Sequence, residues 1–168
     1  MYTQKSLKNF GRKSPGSAIV ETPVALLLLF VFILFPLFAL IGMAAKYACC
    51  YSLHQMQLHE AALIAASSAG AADGPIKRGI PESWLSSGLG LFADPADGIP
   101  ETRLSYHEGV RSANGIEDQF VVVETEFKLK PFLTVSVPGI SAVPGLNEAF
   151  PIAFKSQTAM ENPANINR

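Results

Sequence analysis

Three patterns of apolar and polar positions follow one another along the chain, and each predicts a different element. Val24 to Ala45, VALLLLFVFILFPLFALIGMAA, holds 22 residues without a charged side chain. As a helix rising about 1.5 Å per residue, this run would extend roughly 33 Å and cross a bilayer. A secretory signal peptide has an apolar core of only about 7 to 15 residues, so the run reads as a retained anchor. From Ala44 to Ala69 no Pro or Gly intervenes and helix-favouring residues continue. Ser52, Gln55, Gln57, His59 and Glu60 alternate there with an apolar face at Leu53, Met56, Leu63 and Ile64. That spacing predicts an amphipathic extension, so one helix covers 17–70 and its transmembrane part lies at about 24–45.

Gly70 and Gly74-Pro75 close the helical pattern and open a Gly/Pro-rich connecting segment over 71–100. Its Trp84, Leu85, Leu89, Leu91 and Phe92 are expected to plug the domain interior, with an exposed Trp as the alternative, marking a partner surface. Beyond Pro100 the period changes to two. Val121, Val123, Thr125, Phe127 and Leu129 alternate with Glu124, Glu126, Lys128 and Lys130, the pattern of a half-buried strand. Leu104 and Tyr106 predict a second strand, joined through Asn114-Gly115, and Phe150, Ile152 and Phe154 a third. Between the last two lie Val137-Pro138-Gly139 and Val143-Pro144-Gly145, suited to successive type II turns. Three strands are marginal alone and need a helix against their apolar face. The expected fold class is therefore α+β: a long N-terminal helix, transmembrane in its first half and amphipathic in its second, packed on a small antiparallel sheet domain at 101–168.

Charge adds orientation. With 13 Lys+Arg, 14 Asp+Glu and 49% hydrophobic residues in 168, neither a disordered chain nor a basic nucleic-acid binder fits, and no nucleic-acid partner is expected. Lys5, Lys8, Arg12 and Lys13 precede the apolar run with no acid among them, which holds the N-terminus in the cytoplasm and exports the rest. The adjacent Cys49 and Cys50 cannot make a spaced disulfide framework. They read as small helix residues, with an intermolecular bridge as the alternative. His59-Glu60 lacks the second histidine of a zinc-protease motif, and His54 and His59 are expected at the surface. Asp94-Pro95-Ala96-Asp97-Gly98 lacks the alternating ligands of a calcium loop and reads as a turn. No catalytic residue, cofactor site or metal site is expected.

The remaining signal is Gly16-Ser17-Ala18-Ile19-Val20-Glu21, a lone carboxylate at the start of an apolar helix. A carboxylate there costs roughly 2.5 to 3.5 kcal/mol on insertion scales and asks for a partner, such as a free amine. A basic leader, a glycine and a glutamate five residues later resemble the type IV pilin superfamily. The Gly-Ser-Ala-Ile-Val-Glu-Thr start, the strand running into Lys130-Pro131-Phe132 and the final strand ending near Met160-Glu161 are similar to TadE-like minor pseudopilins of the tight-adherence (Flp) pilus system.

That resemblance implies a leader at 1–16, cut by a prepilin peptidase between Gly16 and Ser17, and a role in assembling or priming a tight-adherence pilus by helix packing. It implies residence in the bacterial inner membrane or the filament. The implied partners are the peptidase, other minor pseudopilins, the major pilin, the assembly platform and membrane lipid. Glu21 would set register by meeting the Ser17 amine of a neighbour, or of its own chain one turn away. Pro36 removes a backbone bond in mid-span and is expected to kink the helix, either merely tolerated or easing extraction into a filament. The alternative function is an uncleaved single-pass anchor displaying a small adhesion or envelope-scaffold domain.

Overall fold

The computed structural model describes residues 16–111, 117–132 and 148–161, with side chains over 21–108, 119–132 and 148–161. The fold is α+β. Helix α1 (Gly16–Leu29), a π-helical turn (Phe30–Leu34) and α2 (Phe35–Leu63) follow without a break, and Glu21–Leu63 alone is a 43-residue helix. Short helices α3 (Ala66–Gly70), α4 (Ile80–Leu85) and α5 (Gly88–Ala93), with a π turn at Pro75–Gly79, lead to strands β1 (Glu101–Arg111), β2 (Glu117–Leu129) and β3 (Phe150–Ala159). All but Gly16 of the expected 1–16 leader, the Asn114-Gly115 connection and both Val-Pro-Gly turns lie outside the described residues. By compactness the chain divides into Met1–Phe38 and Ala39–Arg168.

In the second unit the strands form one antiparallel sheet in the order β1-β2-β3. Alternation sorts β2: Val121, Val123, Thr125, Phe127 and Leu129 are buried. The opposite parity brings Arg103, Glu124 and Lys155 into one cross-strand row. Salt bridges Lys155–Glu124 (3.9 Å) and Arg103–Glu126 (3.3 Å) lie on this solvated face. Such exposed pairs add little stability and chiefly keep the face polar.

The inward face is covered by the C-terminal half of α2. Leu58, Ala61 and Ala62 pack with Val121 and Val123, whereas Cys50 and Leu53 pack with Phe127, Leu129 and Phe154. α2 therefore runs antiparallel to β2. Its buried positions Gly42, Lys46, Cys50, Leu53, His54, Gln57, Leu58, Ala61 and Ala62 recur at three and four residues, one face of an α-helix. The small Cys50, Ala61 and Ala62 let the backbone lie close to the sheet.

This face corrects the sequence reading in several places. Met56 and Leu63 are exposed, while Gln57 and His54 are fully buried; His59 is exposed as expected. Apolarity alone misassigned the stripe because polar side chains can occupy it when they find partners. The helix also stops at Leu63 rather than near Ala69, with no Gly or Pro to stop it. Ala65 is extended (φ −64°, ψ 141°), and the Glu161 N–H donates to the Ala62 carbonyl at 3.1 Å. A carbonyl that the ended helix leaves without a partner is thus satisfied by chain arriving from β3.

The 71–100 connection is more regular than its glycines and prolines suggest. Trp84 is buried against Phe127 (ring centroids 6.3 Å apart) and acts as the expected plug, but Leu89, Leu91 and Phe92 are exposed. Gly90 explains the orientation of α5: a Cβ there would overlap the Trp84 carbonyl and come within 2.5 Å of Leu85 Cα. α5 thus turns its glycine inward and its leucines outward. Asp94 caps α5 in the left-handed region (φ 46°). Beyond it Pro95 bridges to Leu129, and the Ala96 N–H donates to the Lys128 carbonyl at 2.7 Å. Ion pairs Lys130–Asp94 (2.8 Å) and Lys128–Asp97 (2.7 Å) flank this contact. The Asp94–Gly98 stretch is more than a turn, since it docks on the end of β2.

Candidate assembly site

The apolar helix meets the requirements of a packing element. Every large apolar side chain that is exposed between Val24 and Ile41 is at least 42% so (Leu29), and Phe32 reaches 71%. A helix that is apolar all round must be buried in lipid or against other helices. It is long and apolar enough to cross a membrane.

Gly16 is the first residue of α1 and Ser17 the second, so the backbone around the expected cut is helical. Glu21 is exposed, one turn beyond Ser17, and shares a shallow open groove with Thr22, Ala25, Leu26 and Leu29. A carboxylate beside Thr22 at the start of a wall of Ala25, Leu26 and Leu29 is a strong directional signal in low dielectric, because a cation or a donor satisfies it there. Pro36 is the second residue of α2, separated from the π turn by Phe35. The Phe35 N–H bonds to the Phe30 carbonyl five residues back, which widens the turn where an α-helical Pro36 ring would press on the Phe32 carbonyl.

A second constellation escaped the sequence reading. Gln57 Nε2 donates to the Ile76 carbonyl (2.7 Å) and to Thr102 Oγ1 (2.9 Å). A carbonyl only accepts, so the amide orientation is set. Gln57 Oε1 then receives the Thr125 hydroxyl proton at 3.0 Å. Because Thr125 has spent its one proton, His54 Nδ1, 3.0 Å from Thr125 Oγ1, must be the donor in that bond. The neutral ring therefore carries its proton on Nδ1.

No polar group among the described residues reaches Nε2, and the ring stacks on Phe154 with centroids 5.6 Å apart. Thr125 lies between Val123 and Phe127, so the network separates the two apolar clusters and pins helix to sheet. The usable signal was Thr125 itself, a hydroxyl at an inward position that required a polar partner on the covering helix.

Burial pushes the His54 imidazolium below its ordinary pKa of 6.5. The unfolded chain therefore binds this proton more readily than the folded one. Above about pH 6.5 neither state is protonated there and the network's stability is complete; it is lost as pH falls toward the lowered folded value. Between pH 7.5 and 5.5 in detergent, urea unfolding should show stability falling by up to about 1.4 kcal/mol per pH unit from this site. His54→Gln, still a donor to Thr125, should flatten that slope; an unchanged slope would assign it to other groups.

The cysteines offer no comparable chemistry. Cys50 is fully buried, and its thiol is pushed up to about 12, first by burial and then by Cys49, against the opposing pull of Lys46. It stays protonated and inert, so the intermolecular bridge, if one forms, falls to the half-buried Cys49. No group of three or more His, Cys, Asp or Glu side chains is placed to hold a metal among the described residues. No protein-family model, curated protein or solved structure matches this chain.

Proposed function

We propose that this chain is a membrane-anchored, TadE-like minor pseudopilin, trimmed after Gly16 by a prepilin peptidase and acting in assembly or priming of a tight-adherence pilus through packing of its apolar helix. One observation carries this reading: an apolar helix exposed on all sides from Val24 to Ile41, with a single carboxylate, Glu21, at its beginning. A simple anchor needs the apolar surface but gains nothing from the acid, whereas register between packed helices needs both. Other minor pseudopilins, the major pilin and the assembly platform are the partners this role requires. The sheet unit is then exported, with the N-terminus in the cytoplasm of a bacterial inner membrane.

The test is the N-terminal sequence and intact mass of membrane-extracted protein, produced with and without a prepilin peptidase. A start at Ser17 only with the peptidase is the expected result. A start at Met1 in both, while a control prepilin is cut, would overturn the pseudopilin reading and favour an uncleaved anchor displaying the sheet unit. A start near Lys46 would remove the anchor altogether.

A further inference from the structure

The sheet unit carries exposed apolar side chains, and their position relative to α2 identifies what covers them. Phe132 lies directly on Gly42: a Cβ at Gly42 would overlap the Phe132 ring. The Phe132 N–H also donates to Met43 Sδ at 3.2 Å. Phe92 from α5 meets the Phe132 ring with centroids 6.3 Å apart. Both residues are substantially exposed, Phe92 43% and Phe132 39%, and Leu91, next to Phe92 in sequence, is 72% exposed.

Gly42 precedes the end of the apolar run at Ala45 by three residues, about 4.5 Å along a helix axis. Its neighbours Leu40 and Ile41 are 68% and 57% exposed. Whatever covers Leu40 and Ile41 must reach the height at which Phe132 sits. Just beyond, the polar boundary begins. Lys46 is 6% exposed and its Nζ donates to the Lys130 carbonyl at 3.3 Å, while Lys130 pairs with Asp94 in water. Apolar rings on one side and charged groups on the other give the profile of a segment lying at a lipid–water boundary.

We propose that Phe132 and Phe92 form a second membrane contact, entering the outer edge of the bilayer beside the emerging helix, so that the sheet unit rests on the lipid surface. This rests on the anchor reading of the apolar helix, and its recognition chemistry is apolar insertion without a specific headgroup. Gly42 is the device that brings the ring to the helix, since any side chain there would displace Phe132.

The test uses the full chain in phosphatidylcholine vesicles, with Cys49→Ala and Cys50→Ala removing the native thiols. A nitroxide label is placed singly at Phe92→Cys, at Leu40→Cys within the span, and at Lys155→Cys on the outer face of the sheet. Collisions with oxygen, which concentrates in hydrocarbon, are compared with collisions with a water-soluble nickel chelate. The expected result is an oxygen-to-nickel ratio at position 92 several-fold above that at 155 and approaching that at 40. Lipid exposure at 40 with a water-like ratio at 92 would overturn the membrane contact and leave the anchor intact. Protection at 92 from both reagents would also overturn it, in favour of a second protein chain over the rings. A water-like ratio at 40 would overturn the anchor reading and this proposal with it.

Discussion

Under the proposed function, Glu21→Gln is expected to leave cleavage after Gly16 unchanged and to lower co-isolation of the chain with the proposed pseudopilin partners by at least about a hundredfold. The substitution preserves size and a hydrogen-bonding amide but removes the charge. Removing one partner of a desolvated ion pair costs about 3 to 5 kcal/mol, because the other charge stays buried and unpaired. At about 1.4 kcal/mol per tenfold change, the lower figure already gives the hundredfold loss. Glu21 lines a shallow groove with Thr22, Ala25, Leu26 and Leu29 at the start of the exposed apolar run, so in the proposed assembly its surroundings have low dielectric and the effect is not screened away. Mass spectrometry of the mature chain and quantitative pull-down from peptidase-expressing cells read the two halves separately. Normal cleavage with normal co-isolation would remove Glu21 from the interface and point to a pair within one chain.

Gln57→Leu is the second large effect, and it concerns folding. The glutamine serves three buried groups at once: the Ile76 carbonyl, Thr102 Oγ1 and Thr125 Oγ1. A leucine of similar size leaves the Ile76 carbonyl and Thr102 without their donor in an apolar setting, at about 1 to 3 kcal/mol each. A loss of about 2 to 6 kcal/mol is therefore expected, a large share of the roughly 5 to 15 kcal/mol that holds an ordinary domain together. Adding Thr102→Val should recover part of the loss, because an apolar group there removes an unmet demand, whereas Thr125 is kept as the acceptor of His54 Nδ1. Urea unfolding of the full chain in detergent, followed by Trp84 fluorescence, measures both. A loss below about 0.5 kcal/mol for Gln57→Leu would show that the network contributes little net stability.

These expectations draw on different levels of the molecule. The helix, the strand parity and the fold class were legible because each depends on local periodicity. Twenty-two uncharged residues can do little but form an apolar helix, and Val121 to Leu129 alternate at the period that a pleated sheet imposes. The lone Glu21 after Gly16 was likewise visible in one dimension, since a carboxylate beside such a run is anomalous wherever the run is placed.

What tertiary structure alone decided depends on partners distant in sequence. Gln57 and His54 looked like surface residues because nothing nearby satisfies them; Thr125 and Thr102 do so from strands 45 to 71 residues away. The end of α2 at Leu63 has no local stop signal, and its Ala62 carbonyl is completed by Glu161. Leu89, Leu91 and Phe92 looked like core because they are apolar, yet the close approach of Gly90 to α4 turns them outward. The sequence by itself thus determined the long N-terminal helix, which strand face is apolar, and where the anomalous charge lies. Which polar groups are buried, where the helix ends and which apolar side chains stay exposed were settled by hydrogen bonds and close contacts between distant segments, which local periodicity does not encode.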